Sequence, residues 1–216
     1  NVGIGTSSPS ADLHLKSTTS GNPELRLEGT GAENGIITFL GGGHANPAVG
    51  LRYISSGDSI GHLAFYANSS SSSTLTERMR INADGIVTKP NQPSCYINNF
   101  GSVSAGSYYA GGTVFDNVGG HYSTSTGRFT APVAGSYFIS ASTLTNAANA
   151  RFEMGVTVNG VVLANGNESA GSSAYGQAQV SLVTHLDANE YLQVKVVSGT
   201  MYPSHSGSYF SVHLLA

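Results

Sequence analysis

The sequence predicts an all-β protein in two parts: a shaft of short strands over residues 1–87 and a β-sandwich head over residues 95–216. Three observations carry this reading. Apolar residues alternate with polar ones at a period of two in run after run, and no stretch shows the helical period. The chain has 28 glycines, and 10% of its residues are charged against about a quarter in an average domain. That composition suits short strands joined by small-residue turns and not long amphipathic helices. Finally, residues 115–140, FDNVGGHYSTSTGRFTAPVAGSYFIS, read as strand, polar loop, strand, turn and strand in 26 residues.

The first part contains LHLKS (13–17), ELRLEG (24–29), IITFLG (36–41), GLRYIS (50–55), HLAFYA (62–67) and RMRINA (78–83). Their leading apolar residues, Leu13, Leu25, Ile37, Leu51, Leu63 and Met79, stand 12 to 16 residues apart. Gly, Asn, Asp, Ser and Pro fill the gaps, as turns require. Strands with two inward side chains bury little, and no apolar run is long enough to build a core. Two readings remain: a fibrous structure in which several chains share one core, or a small independent β-domain. The opening NVGIGTSSPSADLHLKS and the later ERMRINADGIV resemble the two ends of a module found in tail-fibre proteins of bacterial viruses, marine ones especially. That resemblance favours a trimeric shaft. It also implies a virion location, with further fibre chain N-terminal to residue 1, since the sequence opens on Asn-Val-Gly.

Residues 88–94, TKPNQPS, hold two prolines and no alternation, so they are read as the linker. Cys95, at the start of the next strand, is read as a small buried hydrophobe.

In the head, SYFISASTL (136–144) alternates Tyr137, Ile139 and Ala141 against Phe138, Ser140, Ser142 and Leu144. RFEMGVTV (151–158) runs into Asn159-Gly160 and VVLA, the strongest short-range hairpin signal. QAQVSLVTHL (177–186) and YLQVKVVSG (191–199) are expected to pair across the turn at 187–190. SYFSVHLLA (208–216) is expected to be a buried central strand. With CYINNF, TVFDNV, HYSTST and GRFTAP this makes eight to ten strands, hence a sandwich or barrel. The tract Thr126-Gly127-Arg128-Phe129-Thr130-Ala131-Pro132 through Gly135-Ser136-Tyr137-Phe138, with Asn159-Gly160 and the closing Ser208-Tyr209-Phe210, resembles the C1q-like domain, with Arg128 where that family carries Lys. The resemblance covers 95–216. It implies a C1q/TNF-like jelly roll of ten strands that assembles as a homotrimer.

Composition bounds the chemistry. A net charge of −3 gives no basic footprint for nucleic acid. A single cysteine allows no intrachain disulfide and no cysteine zinc cluster. No apolar run approaches the ~20 residues of a membrane helix, so no membrane insertion is expected. The acids Asp58, Asp84, Asp116, Asp187 and Glu190 sit in turn contexts and read as solvated. No Gly-x-Ser-x-Gly elbow occurs, and Gly41 to Gly43 before His44 lack the Lys-Ser/Thr of a phosphate cradle. No catalytic residue is therefore assigned, and the protein is expected not to be an enzyme.

The seven histidines lack ligand spacing. On a three-fold axis one His would become three, so an axial metal is a candidate. So is a structural calcium held by Asp116 and Asn117, with a plain turn as the simpler reading. The candidate ligand-binding residues are Tyr108, Tyr109, Tyr122, Tyr175 and Tyr202. They lie in Gly/Ser-rich loops where rings can stack on sugars, with core or interface packing as the alternative for each. The expected function is receptor binding by a tail fibre: non-catalytic, multivalent attachment to a host cell-surface glycan or protein. A trimerisation cap and a fibre-borne polysaccharide depolymerase are the alternatives.

Overall fold

The structure, a computed structural model, describes residues 2–4, 7–8, 10, 13–15, 36–39, 49–55, 61–68, 75–145, 151–169 and 175–215. All the regular structure among these is β. No helix is long and apolar enough to cross a membrane. The chain divides into two compact units, Asn1–Lys89 and Pro90–Ala216.

In the first unit, β1 (Val2–Ile4) and β2 (Leu13–Leu15) form a parallel pair. An antiparallel sheet follows in chain order: β3 (Ile36–Phe39), β4 (Val49–Ser55), β5 (Gly61–Ala67), β6 (Thr76–Ile81) and β7 (Val87–Thr88). Strands β2 to β6 correspond to alternating runs read from the sequence, whereas β1 and β7 are not among those runs. The run ELRLEG at 24–29 lies outside the described residues, as does the Gly41 to His44 segment. Between β6 and β7 the Asn82 side chain accepts from the N–H groups of Asp84 and Ile86, and Gly85 takes φ +79°. This is an Asx-supported turn whose left-handed position needs glycine. The unit buries little: Val2, Ile4, Leu13, Ile37, Val49 and Leu63 are all exposed. Among the described residues Ala64 is its only buried hydrophobic side chain.

The second unit is a sandwich of two five-stranded sheets. In chain order its strands are β8 (Ser94–Asn98), β9 (Thr113–Val118), β10 (Tyr122–Ser123), β11 (Arg128–Thr130) and β12 (Gly135–Thr145). Then come β13 (Arg151–Val158), β14 (Val161–Ser169), β15 (Gly176–Leu186), β16 (Tyr191–Ser198) and β17 (Tyr209–Leu214). One sheet has the order β15-β12-β17-β8-β9 and the other β10-β11-β16-β13-β14. Alternation supplies the core. Tyr137, Ile139 and Ala141 of β12, with Phe210 and Val212 of β17, meet Phe152, Met154 and Val156 of β13 and Leu192, Val194 and Val196 of β16; none of these side chains is exposed. Each large one contributes roughly 1.5–3 kcal/mol by burial.

The terminal strand β17 lies between β12 and β8, as its apolar alternation predicted. Asn159 and Gly160 take φ +50° and +83° and close the β13–β14 hairpin. That hairpin continues well past the apolar VVLA, to the pair Arg151–Ser169. One expectation is corrected. The runs at 177–186 and 191–199 do not pair with each other: β15 pairs with β12, and β16 with β11 and β13. They belong to different sheets, and in the opposite sheet β15 stands nearest β14 and β13, so the turn at 187–190 joins the two sheets. Of residues 88–94, Thr88 pairs with Arg80 in the first unit, while Gln92 and Pro93 hydrogen-bond to the backbone of Leu214 in the second.

Candidate functional site

The five loop tyrosines divide by which way the backbone turns them. Residues 104–109 lie against β16: the Tyr109 N–H donates to the Val194 carbonyl, and the Val196 N–H to that of Ser107. Strand alternation then sends Tyr109 inward and Tyr108 outward. Tyr109 has no exposed surface. Its ring lies 4.5 Å from that of Phe100, and its hydroxyl donates to the Ser142 carbonyl at 3.2 Å. Burial holds its phenol well above the ordinary pKa. Tyr122 is also in the core, at 4% exposure, with its ring 6.2 Å from Phe210. The expectation that Tyr109 and Tyr122 contact a ligand is therefore corrected: both rings fill the sandwich.

Asn117 is likewise engaged. Its amide donates to the Tyr122 carbonyl at 3.0 Å and its oxygen accepts the Tyr122 N–H at 2.9 Å. It clamps the β9–β10 turn and does not present a free oxygen for calcium. Asp116 accepts from the Ser94 hydroxyl. Among the described residues no three His, Cys, Asp or Glu side chains gather closely enough to hold a metal ion. Cys95 is fully buried, and burial pushes its thiol up to about 12, against a lowering by a backbone hydrogen bond to Val212.

Tyr175 and Tyr202 are brought together. Tyr175 is 58% exposed, and its ring stands 5.7 Å from Tyr202, edge to face. His205, which the sequence did not single out, extends the cluster with its ring 5.9 Å from Tyr202. The two chain segments are tied from below. The Tyr202 N–H donates to the Leu144 carbonyl, the Gln177 amide donates to Ser142 Oγ and the Gly207 carbonyl, and His205 Nδ1 accepts the Gly207 N–H. Three rings with wet polar edges on an ordered base can stack on a sugar ring and hydrogen-bond its hydroxyls.

A broader surface is the outer face of the β15-β12-β17-β8-β9 sheet. Its strands contain no Lys, Arg or Glu and one Asp, Asp116. Across it run Phe115, 63% exposed, then Tyr96 with its ring 5.7 Å away, then Tyr209 a further 6.0 Å on. Phe138 lies opposite Val183, which is 58% exposed. Serines separate the rings: Ser140 bonds both Ser181 and the Tyr209 hydroxyl. The signal for this face was present in the alternation of β12, where Phe138 falls opposite to the core residues.

Two stacked five-stranded sheets in this order define a jelly-roll sandwich. The C1q domain family model matches residues 102–215, and the chain belongs to that family. No curated protein matches the sequence. Among solved structures, the TNF Eiger from S. frugiperda superposes with a TM-score of 0.50 at 13% identity, over 58% of this chain and 94% of its own. Murine APRIL at pH 5.0 gives 0.49 at 15% identity, over 57% of this chain and 99% of that one. The globular domain of zebrafish complement 1qA gives 0.45 at 14% identity, over 56% and 93%. At such identities the likeness concerns the fold alone.

Proposed function

We propose that this chain forms a homotrimeric, non-catalytic attachment head on a shaft of short strands, in the tail fibre of a bacterial virus. The observation that carries the trimer is the outer face of the β15-β12-β17-β8-β9 sheet. A monomer in water gains nothing by leaving Phe115 and Val183 exposed and Tyr96, Tyr209 and Phe138 half-buried together on a face almost without charge, whereas copies packed on it bury those side chains. C1q family membership supports the count of three. The first unit, with Ala64 its only buried hydrophobic side chain among the described residues, is a strand ladder that gains a core by sharing one with other copies. The module ends at 1–15 and 77–87 support the fibre setting. The ligand is a host cell-surface glycan, held by Tyr175, Tyr202 and His205. Three weak sites on one head bind together through avidity.

The test is sedimentation of the whole chain followed by a host-cell binding assay. The expected mass is three times that of one chain. Phe115→Asp with Val183→Asp should return it to one chain and abolish cell binding, while Tyr175→Ala should abolish binding and leave the mass unchanged. A monomer at micromolar concentration would overturn the reading.

A further inference from the structure

The second sheet carries a separate feature that the attachment reading does not use. Residues 90–216 contain only three cationic Lys or Arg side chains, Arg128, Arg151 and Lys195. Arg151 is paired with Glu153 at 3.4 Å. The other two stand together on the outer face of the β10-β11-β16-β13-β14 sheet, and neither has a carboxylate partner among the described residues. The register puts them there. Tyr191, Gln193 and Lys195 alternate outward along β16, Phe129 pairs with Leu192 so that Arg128 falls beside Gln193, and Tyr108 bridges directly to Lys195.

Each cation lies over a tyrosine. The Arg128 guanidinium carbon is 4.0 Å from the centre of the Tyr191 ring, and Lys195 Nζ is 5.7 Å from that of Tyr108. The two phenols converge above the β13–β14 turn: a methyl group added at Gly160 would sit 3.7 Å from Tyr191 Oη and 3.9 Å from Tyr108 Oη. Tyr108 is also one wall of an open cleft of about 300 Å³, lined by Ser102, Ser104 and Ser107 together with Gly101, Val103 and Ala110. The neighbouring carboxylates are engaged elsewhere. Glu190 accepts from Asn159 and from the Asp187 N–H, and Glu153 from Asn165 and Arg151.

This arrangement has a chemical meaning. Stacking fixes the plane of a guanidinium while leaving its N–H edge free, which is the state in which Arg grips a carboxylate, sulfate or phosphate with two bonds. An uncommitted ammonium beside a second ring adds a point charge. Two phenols, with a cleft beside Tyr108 that offers both serine hydroxyls and the apolar Val103 and Ala110, suit the rest of a sugar. We infer that the outer face at Arg128, Tyr191, Tyr108 and Lys195 is a binding site for an acidic saccharide, a sugar bearing carboxylate, sulfate or phosphate groups. The site rests on the attachment reading only for its setting. It uses different residues from the Tyr175 cluster, and it lies on the opposite side of the sandwich from the aromatic self-association face, so assembly leaves it open on every copy.

The experiment is calorimetric titration of the full chain with three acidic oligosaccharides of equal length (an oligogalacturonate, a sulfated one and a phosphorylated one) and with a neutral oligosaccharide of that length. At least one acidic probe should bind about tenfold or more tighter than the neutral one, with an affinity that falls as salt is raised. Arg128→Gln and Lys195→Gln should each weaken that binding about tenfold, and Arg128→Lys should lose part of it, because charge remains but the fork does not. Arg151→Gln, on the same sheet, should change it less than twofold, and thermal unfolding should stay at the parent midpoint in all four variants. Equal affinity for acidic and neutral probes, no binding of any acidic probe, or equal losses for Arg151→Gln and Arg128→Gln would overturn the inference. If the three charge-removing variants keep full host-cell attachment while the acidic probes fail, this site falls and the attachment reading stands. If acidic oligosaccharides bind as expected but cells are not bound, the reverse holds.

Discussion

The strands of the first unit and those of the second obey the same alternation, yet they bury very different amounts. Along β5 the pattern HLAFYA leaves Leu63 43% exposed and hides only Ala64 among apolar side chains, because among the described residues no second layer covers that sheet. Along β12 the pattern SYFISAS hides Tyr137, Ile139 and Ala141 completely, because β13 and β16 stand opposite. Alternation gives a sheet two faces, but burial needs a second layer. In the second unit the chain supplies that layer itself. In the first, neighbouring copies in the proposed trimer would supply it.

The widest gap between the units should appear on truncating one residue in each. Phe129 is fully buried, with its ring 5.9 Å from Tyr137 and 6.3 Å from His121. Phe129→Ala should cost about 3–5 kcal/mol in urea denaturation, at any protein concentration. Leu63→Ala should cost less than about 1 kcal/mol when the chain is dilute enough to be monomeric. As concentration rises and copies assemble, its cost should grow, because the shared core then contains Leu63. A cost near that of Phe129 in the monomer would break the comparison. A cost that never grows would remove the shared core.

The same contrast explains what the sequence made legible. The strands of the head were readable because β12, β13, β15, β16 and β17 alternate over eight or more residues or close with aromatic pairs, and Asn159-Gly160 fixes one hairpin outright. The partnering of β15 was not readable. A four-residue turn serves a hairpin or a crossing between sheets equally well, and only the shape of the core decides. The tyrosines failed in part for a related reason. Tyr108-Tyr109 sits in a Gly/Ser-rich segment that looks like a free loop, but its backbone bonds to β16 impose strand alternation and send one ring to the core. Tyr122 was pulled inward by the Asn117 clamp, a contact of side chain with backbone that no periodicity reports. Tyr175 is exposed and Tyr202 half-exposed. Their proximity, and the addition of His205, depend on how two loops distant in sequence are tied at Ser142 and Gly207.

Glycines sharpen the comparison at smaller scale. Gly85 and Gly127 take nearly the same left-handed backbone, φ +79° and +68°. A Cβ on Gly85 would meet nothing within 4 Å, whereas one on Gly127 would lie 1.5 Å from the Tyr109 carbonyl oxygen. Gly85→Ala should cost about 1 kcal/mol, the price of the conformation alone. Gly127→Ala adds a collision with the backbone of a core residue and should cost about 2–4 kcal/mol by the same denaturation assay. Equal costs would mean that the two turns are equally free to shift, and that the second unit is less tightly packed around Tyr109 than its burial implies.

The smallest effect concerns alkaline pH, and it belongs to the second unit because Cys95, Tyr109 and Tyr122 all lie in its core. Burial raises each of these groups above its ordinary value, and for Cys95 the shift runs from 9.0 to about 12. Below pH 9 the thiol is protonated in both the folded and unfolded states and contributes no pH dependence. Between 9 and about 12 the unfolded chain releases the proton while the folded one keeps it, so the unfolded state binds fewer protons and stability falls as pH rises. For one such group the limiting slope is about 1.4 kcal/mol per pH unit. Cys95→Val, which fills a similar volume and cannot ionise, should flatten the decline between pH 9 and 10, before the buried tyrosines begin to contribute. An unchanged slope in that variant, followed by urea denaturation at each pH, would show that Cys95 meets water more readily than its position between Tyr122 and Val212 requires.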